Sequence, residues 1–506
     1  MFLLHSMPSL LLVFFMMIIV SMLSGLLFLH QKVPLSYVRI HIWIVSLPPF
    51  FALIALANPN GAENAGPFHM DSLAWLMTFF VLVIGLIVQR FSIRYLMGDR
   101  SYRKYFTLFT FTTTAASIAW LSGDLRWLVL FWGVTLAGLT LLIRLNNGWK
   151  VATEASKLSG YHFLIGWVSL LLAAVWLSHS TDSWQLSTAL SIENLAGISA
   201  WERTGINLLI VLAVIIPAAQ WPFQRWLVES VVAPTPVSAI MHAGIVNAGG
   251  IMLTRFSPLF NGDLASTILL LIFAGISVLV GTGISLVQVD YKRQLVGSTI
   301  GQMGFMLIQC ALGAYVAAII HLILHGLFKA TLFLQSGSAV RRKEESSYRK
   351  TQPAFLWTIA GWILSFAVGL VFWLQAPREG YQIISALILV WSISISWRQL
   401  VAFGEGSIGR IAGLIFVGGT AAIYSFIHHF FYDILQTAVF QGSQPPLAVV
   451  LIVGCLLLVG TVIGAIAARN RSSIFFTVLY LWLVRLGEAK PKAVESHPSY
   501  LKQQLP

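Results

Sequence analysis

Charge is scarce in this sequence. Asp, Glu, Lys and Arg together make up only 10% of the 506 residues, whereas 58% of the residues are hydrophobic. A soluble protein of this length cannot cover its surface with so few polar side chains. Lipid must therefore solvate most of the chain, and a soluble multidomain enzyme is excluded.

Cysteine is also nearly absent. The only cysteines, Cys310 and Cys455, lie in apolar runs, and an iron–sulfur cluster needs about four thiolates. The sequence has no Walker motif, no Gly-x-Gly-x-x-Gly after a strand, no zinc-spaced Cys and His, and no Ser/His/Asp set. We therefore expect no cofactor or metal in this chain and no covalent chemistry of its own.

Long apolar runs are abundant, by contrast. Each run of about 18 or more residues can cross a hydrocarbon core of about 30 Å as a helix, and lipid leaves backbone groups no other partners. The first run lacks a basic segment before it, so we interpret it as a retained helix and not as a signal peptide. The pattern predicts an all-α integral membrane protein with about fifteen transmembrane helices. They are expected at 10–29, 38–57, 70–91, 105–121, 126–144, 161–179, 206–232 (broken), 237–256, 265–288, 294–311, 313–338, 354–374, 381–400, 407–432 and 446–468.

The basic residues predict an orientation. Most of the 31 Lys and Arg residues fall on one side of these spans, which the positive-inside rule assigns to the cytoplasm. The other side holds only Arg126, Arg203, Arg255 and Arg378. The net charge of +13 thus reflects topology and not a nucleic acid partner. We expect a multi-pass protein of the cell membrane with its N-terminus outside and its C-terminus in the cytoplasm.

Lys329 is the one basic residue left deep in the membrane, where a lysine costs about 3 kcal/mol or more to insert. His321, His325 and Lys329 follow one another in steps of four, which places them on one stripe of a helix, about 6 Å apart along its axis. Such a row is spaced for proton transfer through intervening water. The alternative is that the two histidines only hydrogen-bond across a helix interface.

Prolines mark a second unusual stretch. Pro217, Pro222, Pro234 and Pro236 surround the seventh predicted span and remove helical hydrogen bonds there. A discontinuous helix lining an ion path is the expected result, and a simple packing kink is the alternative. His242 follows on the next helix, within reach of the break.

Asp290 and Lys292 lie near the cytoplasmic end of the ninth span. Interface charges usually anchor a helix. They are also candidates for the entrance of an ion path that leads to Lys329.

Several stretches resemble one known family. They are Phe68 to Leu73, Tyr95 to Gly98, Ala233 to Gly244, Asp290 to Phe305 and His321 to Ser338. Together they are similar to the antiporter-like proton-translocating subunits of respiratory complex I and of Mrp sodium/proton antiporters. The resemblance implies two inverted five-helix repeats, with a broken helix in the first, and a polar axis at mid-membrane. It divides the chain into N-terminal helices (1–104), a first repeat (105–256), a second repeat (265–400) and a C-terminal part (401–506).

The chain departs from the family pattern in its first half. His242, His321, His325 and Lys329 match the family's axis, but Gly133 stands where relatives have a glutamate. A proline, Pro217, stands where relatives have a lysine. The region from 352 to 375 also lacks the usual second broken helix with its lysine.

A charge-depleted member of this kind is most similar to the DabB family, the membrane subunits of two-component inorganic carbon transporters. That resemblance implies a DabA-like partner with a β-carbonic anhydrase-type zinc site, so zinc is expected in the partner and not here. It implies that protons or sodium ions flowing through this chain energise uptake of carbon dioxide or bicarbonate. The alternatives are a proton-pumping subunit of a complex I-type or Mrp-type assembly, or a scaffold with a degenerate channel.

Overall fold

A computed structural model describes most of the chain. The described residues are 7–57, 63–146, 148–338, 355–375, a few positions between 386 and 397, 406–440 and 446–489. Most of the predicted span at 381–400 lies outside the described residues.

The described chain is almost entirely helical, as predicted. Its helices are α1 (Met7–Leu27), α2 (Val38–Val45), α3 (Leu47–Leu56), α4 (Ser72–Tyr95), α5 (Tyr102–Leu121), α6 (Leu125–Arg144), α7 (Lys150–Thr181), α8 (Leu186–Ala189), α9 (Ile192–Gly197), α10 (Ala200–Ile215), α11 (Arg225–Glu229), α12 (Thr235–Ala243), α13 (Ala248–Arg255), α14 (Ser257–Phe260), α15 (Leu264–Val287), α16 (Tyr291–Ala311), α17 (Tyr315–Leu334), α18 (Phe355–Gln375), α19 (Gly406–Leu435), α20 (Leu447–Arg469) and α21 (Ile474–Gly487). A short antiparallel hairpin, β1 (Glu63–Ala65) and β2 (Phe68–Met70), precedes α4.

Ten of the described spans are long and apolar enough to cross a membrane. The chain is therefore an all-α integral membrane protein, and the count of about fifteen crossings stays a prediction. Two predicted boundaries differ from the structure: the span at 38–57 consists of two short helices, α2 and α3, and α7 begins at Lys150 instead of 161. The apolar helix α21, beyond the last predicted span, was not predicted.

Four of the few acidic residues begin helices. Asp71, Asp124, Asp263 and Asp290 are the N-caps of α4, α6, α15 and α16, and each carboxylate accepts a backbone N–H of the first turn. A helix leaves these N–H groups without intrahelical partners. Four of the 18 acidic residues thus mark the start of a helix.

The predicted break in the seventh span is present. Helix α10 ends at Ile215, and the chain unwinds until α11 begins at Arg225, with a cis Trp221–Pro222 bond between them. Pro217 and Pro222 lie in this unwound segment. Pro234 and Pro236 do not break a helix: they form the start of α12, where a missing N–H is tolerated because that group has no helical partner.

The next span, predicted as one helix over 237–256, is itself interrupted. Helix α12 ends at Ala243, one 3₁₀ turn follows over Ile245–Asn247, and α13 completes the crossing. The Asn247 amide donates to the Ala243 carbonyl at 2.7 Å, which compensates a freed acceptor. Helix α17 passes close to this break because Gly326 has no side chain: a Cβ there would lie 2.7 Å from the Ala243 carbonyl oxygen.

A buried ion pair joins α4 to α13. The Asp71 carboxylate accepts hydrogen bonds from both terminal nitrogens of Arg255, and the Nη2 bond is 2.7 Å long. Its Oδ1 also accepts the Ala74 N–H and so caps α4. His69 Nε2 lies 3.4 Å from the same carboxylate. Burial on its own would raise the pKa of Asp71, but the Arg255 charge and the hydrogen bonds from His69 and Arg255 outweigh it and hold that pKa below its usual range.

We expect Asp71→Asn to destabilise the protein by about 3 kcal/mol or more at neutral pH, because it leaves the Arg255 charge buried without its partner. The Asp71 pKa is lowered on folding, so the contribution is complete above its unfolded value of about 4 and is lost as the pH falls further. Thermal unfolding in detergent at several pH values measures this.

Asp124→Asn is the matched control, since Asp124 also caps a helix and pairs with an arginine, but Arg126 is 62% exposed. Its effect should be smaller. Equal losses of stability in the two variants would contradict this role of Asp71. So would a stability difference between Asp71→Asn and wild type that stays constant as the pH is lowered.

Candidate functional site

The structure brings the predicted row onto one face of α17. The imidazole rings of His321 and His325 are 6.0 Å apart between centroids. His325 and Lys329 are buried, and Lys329 is only 1% exposed. The four-residue spacing thus gives a continuous file of titratable groups.

Lys329 is held by the neighbouring helix α16. Its Nζ donates to the carbonyl oxygen of Leu295 at 2.9 Å. Within the described ranges, no carboxylate forms an ion pair with it. A buried amine without a counter-ion favours the neutral form more than an exposed one does, which is the property a transient proton carrier needs.

The same carbonyl connects Lys329 to His242. The Thr299 hydroxyl donates to the Leu295 carbonyl at 2.9 Å, and His242 Nδ1 lies 3.1 Å from that hydroxyl oxygen. Because the hydroxyl hydrogen is used, we assign the ring hydrogen to Nδ1. His242 also stacks on Phe333, with 4.2 Å between the ring centroids, and its Nε2 has no hydrogen-bond partner in the described part of the chain.

His325 occupies the middle of the row. Both of its ring nitrogens are buried and have no hydrogen-bond partner among the residues that the structure describes. Buried polar atoms are rarely left in this state. We therefore expect the His325 ring to bond a water molecule, through which a proton can pass between His321 and Lys329.

His321 lies between two amides of α16. Its Nδ1 is 2.9 Å from Gln309 Oε1, and its Nε2 is 3.0 Å from Gln302 Oε1. An amide can present either its oxygen or its NH2 group to the ring. The two glutamines can therefore bond His321 in its neutral form as well as in its protonated form.

Lys292 lies at the opposite end of α16, beside a cavity of about 470 Å³ that Tyr95, Asn146 and Pro234 also line. Its Nζ is 3.3 Å from the Ala233 carbonyl oxygen. One helical turn separates Lys292 from Leu295, the residue that holds Lys329. Lys292 therefore lines the cavity at this end of α16. Asp290, two residues earlier, caps α16 by accepting the Arg293 N–H. Among the described contacts, it bonds none of His321, His325 and Lys329.

A second cavity, of about 340 Å³, lies near the other end of α16. Asp263, Cys310 and Tyr315 are among its lining residues. The two cavities are separated by the length of α16, about 30 Å. The titratable row lies between them.

The unwound segment around Pro217 and Pro222 is closed by protein contacts. Trp226 Nε1 donates to the Ile216 carbonyl at 2.8 Å, and Gln220 Nε2 donates to the Ala218 carbonyl at 2.8 Å. The Ile216 and Ala218 carbonyls in this segment thus have side-chain donors. This segment supports the site without exposing a row of acceptors.

The first half of the chain has no charged pair at the family's positions. A Cβ on Gly133 would lie 2.5 Å from Trp167 Nε1, and that indole donates to the Val129 carbonyl at 2.9 Å. Pro217 packs against Gly166 across the same region. An aromatic ring therefore fills the space beside Gly133, and a proline fills the space beside Gly166.

Sequence reasoning missed the α16 side of the site. Thr299, Gln302 and Gln309 contact the histidines. They follow Lys292 in steps of seven, three and seven residues, which places them along one side of a helix. That periodicity was available in the sequence. The contact between Lys329 and the Leu295 carbonyl could not be predicted, because every residue has a main-chain carbonyl and the side chain does not show which one is used.

Two family models match the chain. Residues 122–412 match the transmembrane family of NADH:quinone oxidoreductase and Mrp antiporters. Residues 65–106 match the N-terminus of chain 5 of NADH-ubiquinone oxidoreductase, complex I.

Curated relatives match along the whole chain. The chain is 70% identical over 99% of both chains to the "Probable inorganic carbon transporter subunit DabB" of Bacillus subtilis. It is 62% identical to the protein of the same name from Bacillus anthracis, over 99% of this chain and 98% of that one. It is 30% identical over 55% of its length to the NAD(P)H-quinone oxidoreductase subunit 5 of Paulinella chromatophora.

Solved structures share the fold. A chain of the Mrp complex from Dietzia sp. DQ12-45-1b matches 95% of this chain with a TM-score of 0.61 at 23% identity, and this chain spans about half (52%) of its length. A chain of an archaeal membrane-bound sulfane sulfur reductase matches 97% of this chain with a TM-score of 0.60. The chain therefore belongs to the NADH:quinone oxidoreductase/Mrp antiporter family, within the group whose full-length relatives are named as inorganic carbon transporter subunits.

Proposed function

We propose that this chain is the cation-conducting membrane subunit that energises an uptake complex for carbon dioxide or bicarbonate. The observation that carries the proposal is Lys329, a buried amine without a carboxylate partner in the described part of the chain, in register with two histidines. Protons are the cation this chemistry favours, because imidazole and amine side chains can each bind and release a proton.

The proposed path runs between the two cavities at the ends of α16. A proton enters beside His321, passes His325, then Lys329 with His242, and leaves beside Lys292. In this orientation the basic end of the bundle, the end with Arg94, Arg100 and Arg103, faces the cytoplasm. The second repeat, 265–400, contributes most of this path, and the first repeat contributes His242.

The chemistry on inorganic carbon belongs, in this proposal, to a partner. No His, Cys, Asp and Glu cluster that could hold a metal occurs among the residues with described positions. The relatives are named as subunits, which supports an assembly. We propose a DabA-like protein with a β-carbonic anhydrase-type zinc site as the partner.

Lys329→Ala should reduce inorganic carbon uptake to background while the chain still inserts and assembles, because it removes the buried cation of the row. Complementation of a high-carbon-dioxide-requiring strain measures this, with the membrane level of the protein as a parallel reading. Lys157→Ala is the control, since Lys157 forms an exposed pair with Glu154 on α7. Full growth with Lys329→Ala would end the conduction hypothesis.

Thr299→Val should lower uptake roughly fivefold, because valine keeps the shape of threonine but removes one hydrogen bond worth about 1 kcal/mol between Leu295 and His242. Thr254→Val is the control: Thr254 also donates to the carbonyl four residues earlier, but it lies outside the row. Equal losses in both variants would show that the Thr299 hydroxyl has no special part in the path.

Purification of the chain from its native membrane should recover a zinc-containing partner. Mass spectrometry of the partner and metal analysis of the complex measure this. Recovery of quinone oxidoreductase or Mrp antiporter subunits instead would favour the alternative, a pump subunit of one of those assemblies. The Gly133 and Pro217 positions weigh against that alternative, because such pumps use charged residues there.

A further inference from the structure

A second buried histidine lies far from the row, among the N-terminal helices. His41, on α2, is fully buried between α1, α4 and α5. Its Nδ1 lies 2.8 Å from Ser24 Oγ, and its Nε2 lies 3.0 Å from both Gln89 Oε1 and Thr110 Oγ1. Four helices thus converge on one imidazole.

The hydrogen bonds around His41 have a definite direction. The Gln89 oxygen only accepts, and the Thr110 hydroxyl donates to the Phe106 carbonyl at 2.9 Å, so we assign the ring hydrogen to Nε2. Nδ1 then accepts from Ser24. The Ser24 oxygen in turn accepts from the Tyr37 hydroxyl at 2.6 Å.

This chain of hydrogen bonds reaches the surface. Tyr37 is partly exposed and lies in the 3₁₀ turn that follows Pro34, at the basic end of the bundle. Arg103 holds the neighbouring loop by donating to the carbonyls of His30 and Gln31. A proton can therefore pass from water to Tyr37, from the tyrosine hydroxyl to Ser24, and from Ser24 to Nδ1, each group giving up one hydrogen as it gains another.

No charged side chain offsets a proton on this imidazole. Phe28 packs edge-on against the ring at 4.9 Å, and Phe106 lies at 6.4 Å. Arg39 on α2 and Arg90 on α4 are exposed, and Arg103 on α5 is partly exposed. Among the described residues, no carboxylate contacts His41, and Tyr37 is the titratable group linked to it by hydrogen bonds.

The far side of the cluster leads toward the α12 break. One turn beyond Thr110, Thr113 lines a small cavity of about 20 Å³ together with Gly244, Thr112 and Trp132. Thr112 Oγ1 and Trp132 Nε1 are buried, and neither has a hydrogen-bond partner within the described ranges. A cavity of this size holds about one water molecule, and these atoms can bond it. Gly244 is two residues from His242.

We propose that His41 is a proton-binding site that exchanges protons between the α12 break and the basic end, through Ser24 and Tyr37. The inference rests on the proposed function, since His41 would exchange protons with the row that contains His242. It assigns to the N-terminal helices a proton path in place of the charged pair absent at Gly133 and Pro217.

His41→Gln tests the proposal, because glutamine can accept from Ser24 and donate to Gln89 but cannot carry a proton. Tyr37→Phe is the second variant, since it keeps the ring and removes the first hydroxyl. His162→Gln is the control: His162 is a partly buried histidine on α7 that bonds only the Leu158 carbonyl among the contacts of its ring nitrogens. The transporter, purified with its bound partner, is reconstituted in vesicles, and proton flux is followed with a pH dye at several pH values.

We expect His41→Gln to lower proton flux at least tenfold. The remaining flux should no longer depend on the pH of the solution at the basic end of the bundle. Tyr37→Phe should lower the flux severalfold, and His162→Gln should leave it unchanged. Wild-type flux in both His41→Gln and Tyr37→Phe, with flux lost in Lys329→Ala, would overturn the His41 proposal and leave the proposed function intact. Wild-type flux in Lys329→Ala would instead overturn the proposed function. A purely structural role for His41 predicts an unchanged pH profile and a lower unfolding temperature in His41→Gln.

Discussion

The interaction between the Lys329 amine and the Leu295 carbonyl is the constraint around which this bundle is organised. A lysine inside lipid needs a polar neighbour, and here it is a main-chain carbonyl of α16 and not a carboxylate. A neutral acceptor holds the amine in place without fixing its charge. Helix α16 packs against α17. This packing brings the Leu295 carbonyl to the Lys329 amine.

The broken helices serve the same constraint. The interruption after Ala243 lets α17 approach α12 at Gly326, and it places His242 beside Thr299. The break around Pro217 and Pro222 is satisfied by Trp226 and Gln220. Irregular backbone is tolerated at membrane depth when protein supplies its partners, so one break shapes the site and the other closes the space beside it.

Much of the α17 row could be predicted from sequence, because four-residue spacing on a helix fixes which side chains share a face. The seventh-span break was predicted for a similar local reason, the loss of N–H groups at proline. Pro234 and Pro236 were misinterpreted because a proline pair marks either a break or a beginning, and only the neighbouring backbone decides. His41 was not singled out at all, since its partners Ser24, Gln89 and Thr110 come from three other helices and share no periodic pattern with it.

The Asp71 and Arg255 pair has a consequence for biosynthesis. The two residues are separated by 184 positions, and a ribosome adds about 5–20 residues per second, so roughly 10–40 s pass between their appearance. During that interval Asp71 has been made and Arg255 has not. His69, which is made just before Asp71 and lies 3.4 Å from its carboxylate in the folded chain, is present from the start.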